Sequence, residues 1–158
     1  MTLYDELHAV IGRLRDAGLD YALCGGLAMA AYGWPRATMD VDLLIQESDF
    51  PAIRDIARDL GFTIENKEFA VAGGQIRIRR LVKIAGAEAI PLDLIIVGPL
   101  LEPVWAERSD RDTPFGPVSV LSRGALARMK ELRASGTDQD DIRRLREMGQ
   151  WFTEKKKT

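Results

Sequence analysis

Two aspartates, Asp40 and Asp42, stand one residue apart in the apolar segment MDVDLLI, and a third, Asp93, lies between Leu92 and Leu94 in IPLDLIIVG. Strand alternation puts Asp40, Asp42 and Leu44 on one face and Val41, Leu43 and Ile45 on the other. Two carboxylates so placed repel each other, and burying either is costly. A divalent cation resolves both problems. Magnesium prefers oxygen ligands and commonly takes one or two carboxylates together with phosphate oxygens and water. A pair of such ions stabilises the attacking and leaving oxygens of a phosphoryl-type displacement. The plainer alternative is that Asp40 caps a turn, Asp42 pairs with Arg36, and Asp93 faces water at a strand edge.

Ahead of the acids, Gly25 and Gly26 separate a short apolar run, YALC, from the helix-like LAMAAYG. Glycines at a strand-to-helix junction let a phosphate approach the backbone, although a tight turn with no ligand needs them equally. Arg36 and Thr38 precede the acids. Both suit nucleotide or phosphate contacts, the arginine as a forked donor. Arg36 suits an ion pair with Asp40 or Asp42 as well. Trp34 is placed to stack on a base or to pack as a loop aromatic.

The elements that must position these residues follow from periodicity and punctuation. Residues 4–17 place Leu7, Ile11 and Leu14 on one helical face before Gly18. A second helix spans 48–61, capped by Ser48 or Asp49, with Pro51 in its first turn and Gly61 at its end. The segment FTIENKEF is ambiguous. GQIRIRRLVKI alternates Ile76, Ile78 and Leu81 with Arg77, Arg79 and Lys83, with a slip at Arg80. It reads as a half-exposed strand forming a hairpin with the strand that carries Asp93. Its four basic residues suit an RNA contact or a solvated edge that discourages pairing. LLEPVWAERSD reads as a short helix and FGPVSVLS as a last strand. Two helices follow, with Ser122 and Thr137 as N-caps and Gly136 between them.

Composition narrows the class. The 158 residues, 46% hydrophobic and 29% charged, suit one globular domain with a sizeable core. A net charge of −2 argues against a mainly electrostatic nucleic-acid binder. Cys24 is the only cysteine, so no intrachain disulfide forms, and one histidine excludes a His-rich metal site. Cys24 reads as a buried strand residue rather than a nucleophile. The charged N-terminus is not a signal peptide, and no run approaches a membrane span, so the expected compartment is the cytoplasm.

Cys24-Gly25-Gly26, Asp40-Val41-Asp42 and Leu92-Asp93-Leu94 together resemble the nucleotidyltransferase superfamily of the DNA polymerase beta type. The stretch GGLAMAAYGWPRATMDVDLLI looks most like its AbiEii/AbiGii toxin-like branch. Lys130 in LARMKELRA matches a family lysine that contacts the triphosphate, and TDQDDIRRL matches the last segment through Asp138, Asp141 and Ile142. The basic residues that the family carries in the preceding turn are absent, with Ser135 and Thr137 in their place. The resemblance implies an α/β (α+β) fold in one domain over residues 1–158. It would have a mixed sheet flanked by helices, a core at about 20–121 and C-terminal helices at about 122–154. It implies a metal-dependent transferase that moves a nucleoside monophosphate from ATP or another nucleoside triphosphate to a hydroxyl of RNA or tRNA, a protein or a small molecule. Asp40, Asp42 and Asp93 would be catalytic and metal-binding, with Mg2+ or Mn2+ as the cofactor. Gly25, Gly26, Arg36, Thr38 and Lys130 would bind the nucleotide, and an antitoxin protein would be a partner. The alternative is a catalytically inactive nucleotide- or partner-binding regulatory module on the same fold.

Overall fold

The structure, a computed structural model, describes residues 2–34, 37–113, 116–133, 143 and 145–147. Helix α1 (Leu3–Asp16) starts at a capping box in which Thr2 and Asp5 each accept the other's backbone N–H. Strand β1 (Ala22–Cys24) leads directly into α2 (Gly25–Ala31), and β2 (Val41–Ile45) follows. A single 3₁₀ turn, Glu47–Asp49, then leads into α3 (Phe50–Asp59). The expected side-chain cap of this helix is absent. Ser48 and Asp49 are taken up by the 3₁₀ turn, and Asp49 at the cap position has helical backbone angles and no capping bond.

The ambiguous segment after α3 forms two short strands, β3 (Ile64–Glu65) and β4 (Phe69–Val71). Both pair antiparallel with β5 (Ile76–Ala85). A two-residue turn at Gly86–Ala87 closes the expected hairpin to β6 (Glu88–Ile96). Beyond it come α4 (Glu102–Trp105), β7 (Arg108–Thr113), β8 (Gly116–Leu121) and α5 (Arg123–Arg133). Strand β7 was not expected: its sequence, RSDRDT, has no apolar alternation because it is an exposed edge strand. Ser122 caps α5 by accepting the N–H of Ala125, as expected. The final helix expected from Thr137 lies largely outside the described residues, as do Trp151 and Phe152.

The sheet is mixed, with strand order β3-β5-β6-β2-β1-β8-β7 and β4 also on β5. Strands β2 and β6 run parallel at its centre, in the register Asp42 opposite Asp93. The β5 reading needs correction on two counts. The strand is not an edge, because β6 flanks it on one side and β3 and β4 on the other. Its basic residues also do not share a face. The β5–β6 register runs without a bulge, so Arg77, Arg79, Leu81 and Lys83 point one way and Ile76, Ile78 and Arg80 the other. On the first face Arg77 bonds Glu47 and Glu68, and Arg79 bonds Glu65 and stacks on Phe50 of α3. These arginines are thus committed to structural ion pairs.

On that same face, α1 is tied to the sheet by a buried ion pair. Glu6 is fully enclosed, and Lys83 reaches it at 3.0 Å. Removing one partner of such a pair strands a buried charge, which costs far more than the pair itself contributes. Lys83→Met is expected to lower unfolding free energy by about 3 kcal/mol, and the double change with Glu6→Leu to recover most of it. Urea titration of the single and double variants measures both.

Candidate active site

The three aspartates meet on one face of the central strands. Asp42 and Asp93 are buried and sit directly opposite each other on β2 and β6. Asp40 precedes β2 and is half-buried. One oxygen from each carboxylate lies within 4.8 Å of the others. The i, i+2 spacing accounts for Asp40 and Asp42, and the β2–β6 register brings Asp93 to them. An all-oxygen donor set of this size suits a hard divalent ion such as Mg2+ or Mn2+.

Electrostatics agree with that fit. Burial, and then the negative charges of Asp40 and Asp93, push the Asp42 carboxyl up to about 8, against the pull of Arg133 and Lys130. Burial and the neighbouring acids thus favour the protonated form of Asp42, and a cation beside it would favour the ionised one.

The glycine pair is shaped by the acids. Gly25 has φ +68, in the left-handed region, and a Cβ on it would stand 2.1 Å from Oδ2 of Asp42. A Cβ on Gly26 would meet the side chain of Thr38 at 2.8 Å. Both glycines thus have a steric role independent of any ligand: they let Asp42 and Thr38 press against the start of α2. Thr38 in turn donates its hydroxyl to Oδ1 of Asp40 at 3.2 Å. It orients an acid of the cluster, a role that its sequence position alone did not reveal.

Helix α5 covers the same face below the acids. Leu126, Met129, Lys130 and Arg133 gather beside Cys24, Gly25 and Ile95. Lys130 is buried, and its field and that of Arg133 reach Asp42. Cys24 donates to the carbonyl of Asp42 at 3.5 Å, and burial drives its thiol well above the usual range, which fits a packing residue. Trp34 is half-buried and packs against the core. Arg36, Asp138, Asp141 and Ile142 lie outside the described residues.

Sequence reasoning missed Arg80. It stands opposite Asp93 across the β5–β6 pair. Its Nε and Nη2 donate to the two oxygens of Asp93 at 2.6 and 2.8 Å, a forked, charge-assisted contact. The signal was present as the slip in the Ile76–Ile78–Leu81 alternation. At that position the apolar face of β5 gives way to the acid cluster.

No protein-family model and no curated protein sequence matches the chain. Solved structures do. The lincosamide antibiotic adenylyltransferase LnuA, in its lincomycin-bound crystal structure, is 16% identical, with a TM-score of 0.59 over 90% of this chain and 95% of that one. ANT(2'')-Ia in complex with adenylyl-2''-tobramycin is 17% identical, with a TM-score of 0.64 over 92% and 87%. An antigenic nucleotidyltransferase-like protein from Paracoccidioides brasiliensis is 22% identical, with a TM-score of 0.53 over 89% and 75%. The mixed sheet with its flanking helices is therefore the nucleotidyltransferase fold. Among the described residues, no helix is long and apolar enough to cross a membrane.

Two outcomes test this geometry. In the unfolded chain the Asp42 carboxyl ionises near 3.8, and in the folded chain only near about 8. Between those values the folded state holds the extra proton, so stability is greatest at the acidic end of that window and falls as pH rises through it. The melting temperature of the metal-free protein is expected to drop from pH 5 to pH 8, and Asp42→Asn to flatten the drop. Thermal melts across that range check this, and an equal slope in both proteins contradicts it. Separately, Gly25→Ala is expected to cost at least about 1–2 kcal/mol from its left-handed backbone alone. Urea unfolding reads that cost.

Proposed function

We propose that the protein is a metal-dependent nucleotidyltransferase, moving a nucleoside monophosphate from a nucleoside triphosphate to a hydroxyl acceptor. The observation that carries this reading is the convergence of Asp40, Asp42 and Asp93 within 4.8 Å. It is supported by a fold otherwise found in adenylyltransferases.

In this reading Asp40 and Asp42 hold Mg2+ or Mn2+, and Asp93 completes the set. When bound, the cation supplies charge neutralisation for the triphosphate and for the oxyanion that builds up during displacement. The chain's own residues do the positioning. Thr38 fixes Asp40 through their hydrogen bond. Gly25 and Gly26 keep side-chain bulk away from the start of α2, where phosphate oxygens approach. Lys130, with Arg133 beside it, lends positive charge to the triphosphate from α5. Asp93 accepts the proton of the attacking hydroxyl. Arg36 completes the nucleotide contacts. Most of the rate enhancement in such a site comes from orientation and preorganised electrostatics.

The acceptor class follows two leads. The resemblance to the toxin-like branch favours RNA, tRNA or a protein, with an antitoxin as partner and a cytoplasmic setting. The lincosamide and tobramycin complexes of the two adenylyltransferases favour a small-molecule hydroxyl. One assay separates them. The protein is incubated with each α-labelled nucleoside triphosphate and Mg2+, in turn with total RNA, lysate protein and a panel of hydroxylated small molecules. Labelling of one class is expected, with pyrophosphate released. Asp40→Asn or Asp42→Asn is expected to reduce it on the order of 10²–10³-fold with the fold intact by circular dichroism. Nucleotide·Mg2+ stabilisation without label transfer to any acceptor would favour the regulatory module instead.

A further inference from the structure

Arg80 is the residue of the cluster that the reading above leaves without a task. It lies on β5, on the acid-bearing face, while Arg77, Arg79 and Lys83 of the same strand are spent on ion pairs across the other face. Its guanidinium occupies both oxygens of Asp93 at once. Asp93 is buried, while the side chain of Arg80 is 34% exposed. The arginine thus comes in from the solvent side, and its field also reaches Asp40 and Asp42. The ring of Phe69 on β4 lies 5.2 Å from its Cζ, giving the cation a second surface beside the site.

A carboxylate with both oxygens in a guanidinium fork has given up the lone pairs best directed for a metal. The three acids therefore differ. Asp40 is oriented by a neutral hydroxyl, Asp42 is held by no fork among the described residues, and Asp93 is clamped by a full positive charge. We infer that Arg80 is a positioning residue that serves as the resident counter-ion of Asp93, so that a divalent ion bound at Asp40 and Asp42 recruits Asp93 only by displacing the fork. The inference rests on the metal-site reading of the cluster. It predicts that the isolated chain binds divalent metal weakly, because Arg80 competes for the third carboxylate. It also gives the order of assembly, with Asp40 and Asp42 engaged first and Asp93 last.

The test uses Mn2+ alone as the probe, with free ion counted by electron paramagnetic resonance at fixed pH. The proteins are the original chain, Arg80→Met, Arg80→Lys, Asp93→Asn and the double variant Arg80→Met with Asp93→Asn. Releasing a forked, charge-assisted contact is expected to tighten Mn2+ binding on the order of tenfold in Arg80→Met. Arg80→Lys keeps the charge but loses the fork, and is expected to fall between Arg80→Met and the original chain. In the Asp93→Asn background the gain is expected to shrink to the small part carried by the field of Arg80 at Asp40 and Asp42. Circular dichroism and melting temperature confirm folding, and Arg80→Lys keeps the test usable if Arg80→Met does not fold. An Arg80→Lys protein identical to the original, or a gain undiminished without Asp93, shows only a general field effect and overturns the inference. An affinity unchanged in every Arg80 variant also overturns it. No Mn2+ binding in any of the proteins overturns the metal-site reading itself, and this inference with it.

Discussion

The structure is organised around the cost of gathering three carboxyl groups, two of them buried, at the centre of a sheet. Asp42 and Asp93 are neighbours on parallel strands, buried, with half-buried Asp40 just before β2. A polypeptide has little reason to build this for stability: burial and like charge together push the Asp42 carboxyl up to about 8. The arrangement makes physical sense when positive charge from outside the chain enters the cluster. Local strain or unfavourable electrostatics retained in a fold commonly mark the place where it works.

The surrounding elements can be understood as consequences of keeping those acids in place. A Cβ on Gly25 would occupy the space of Asp42, so the first residue of α2 has none. Thr38 packs on Gly26 and holds Asp40 through its hydroxyl. Arg80 neutralises Asp93 directly, whereas Lys130 and Arg133 act on Asp42 from α5. The opposite face carries the conventional stabilisation. There α1 and α3 lie over the sheet, with Glu6–Lys83 and the arginine–glutamate pairs of β5 fixing the helices to it. The two faces divide the labour, one dense with helix-to-sheet charge pairs and the other holding the three acids.

The acid positions were legible because strand periodicity is rigid: i and i+2 share a face whatever the tertiary context. The parallel β2–β6 pairing, which sets Asp93 opposite Asp42, is long-range and leaves no mark in the local sequence pattern; the family resemblance pointed only to a third acid on a later strand. Composition groups Arg80 with Arg77 and Arg79 as basic residues of one strand, and the slip in the alternation marks it off. The unbroken β5–β6 register resolves that slip, with Arg80 pointing the other way. Strand β7 escaped notice because an exposed edge strand needs no apolar residues and so leaves no periodic signal. The steric demand of Asp42 on Gly25 was likewise invisible, since a glycine pair looks the same whether it admits a phosphate or a neighbouring side chain.

The most direct measurement of the central claim is a crystal structure of the protein soaked with Mn2+ and a non-hydrolysable nucleoside triphosphate analogue, with manganese located by its anomalous signal. The account predicts a manganese peak bounded by the carboxylates of Asp40 and Asp42, with the triphosphate on its open side towards α2 and α5. A triphosphate bound elsewhere, or manganese absent from the three aspartates at saturating concentration, would contradict it.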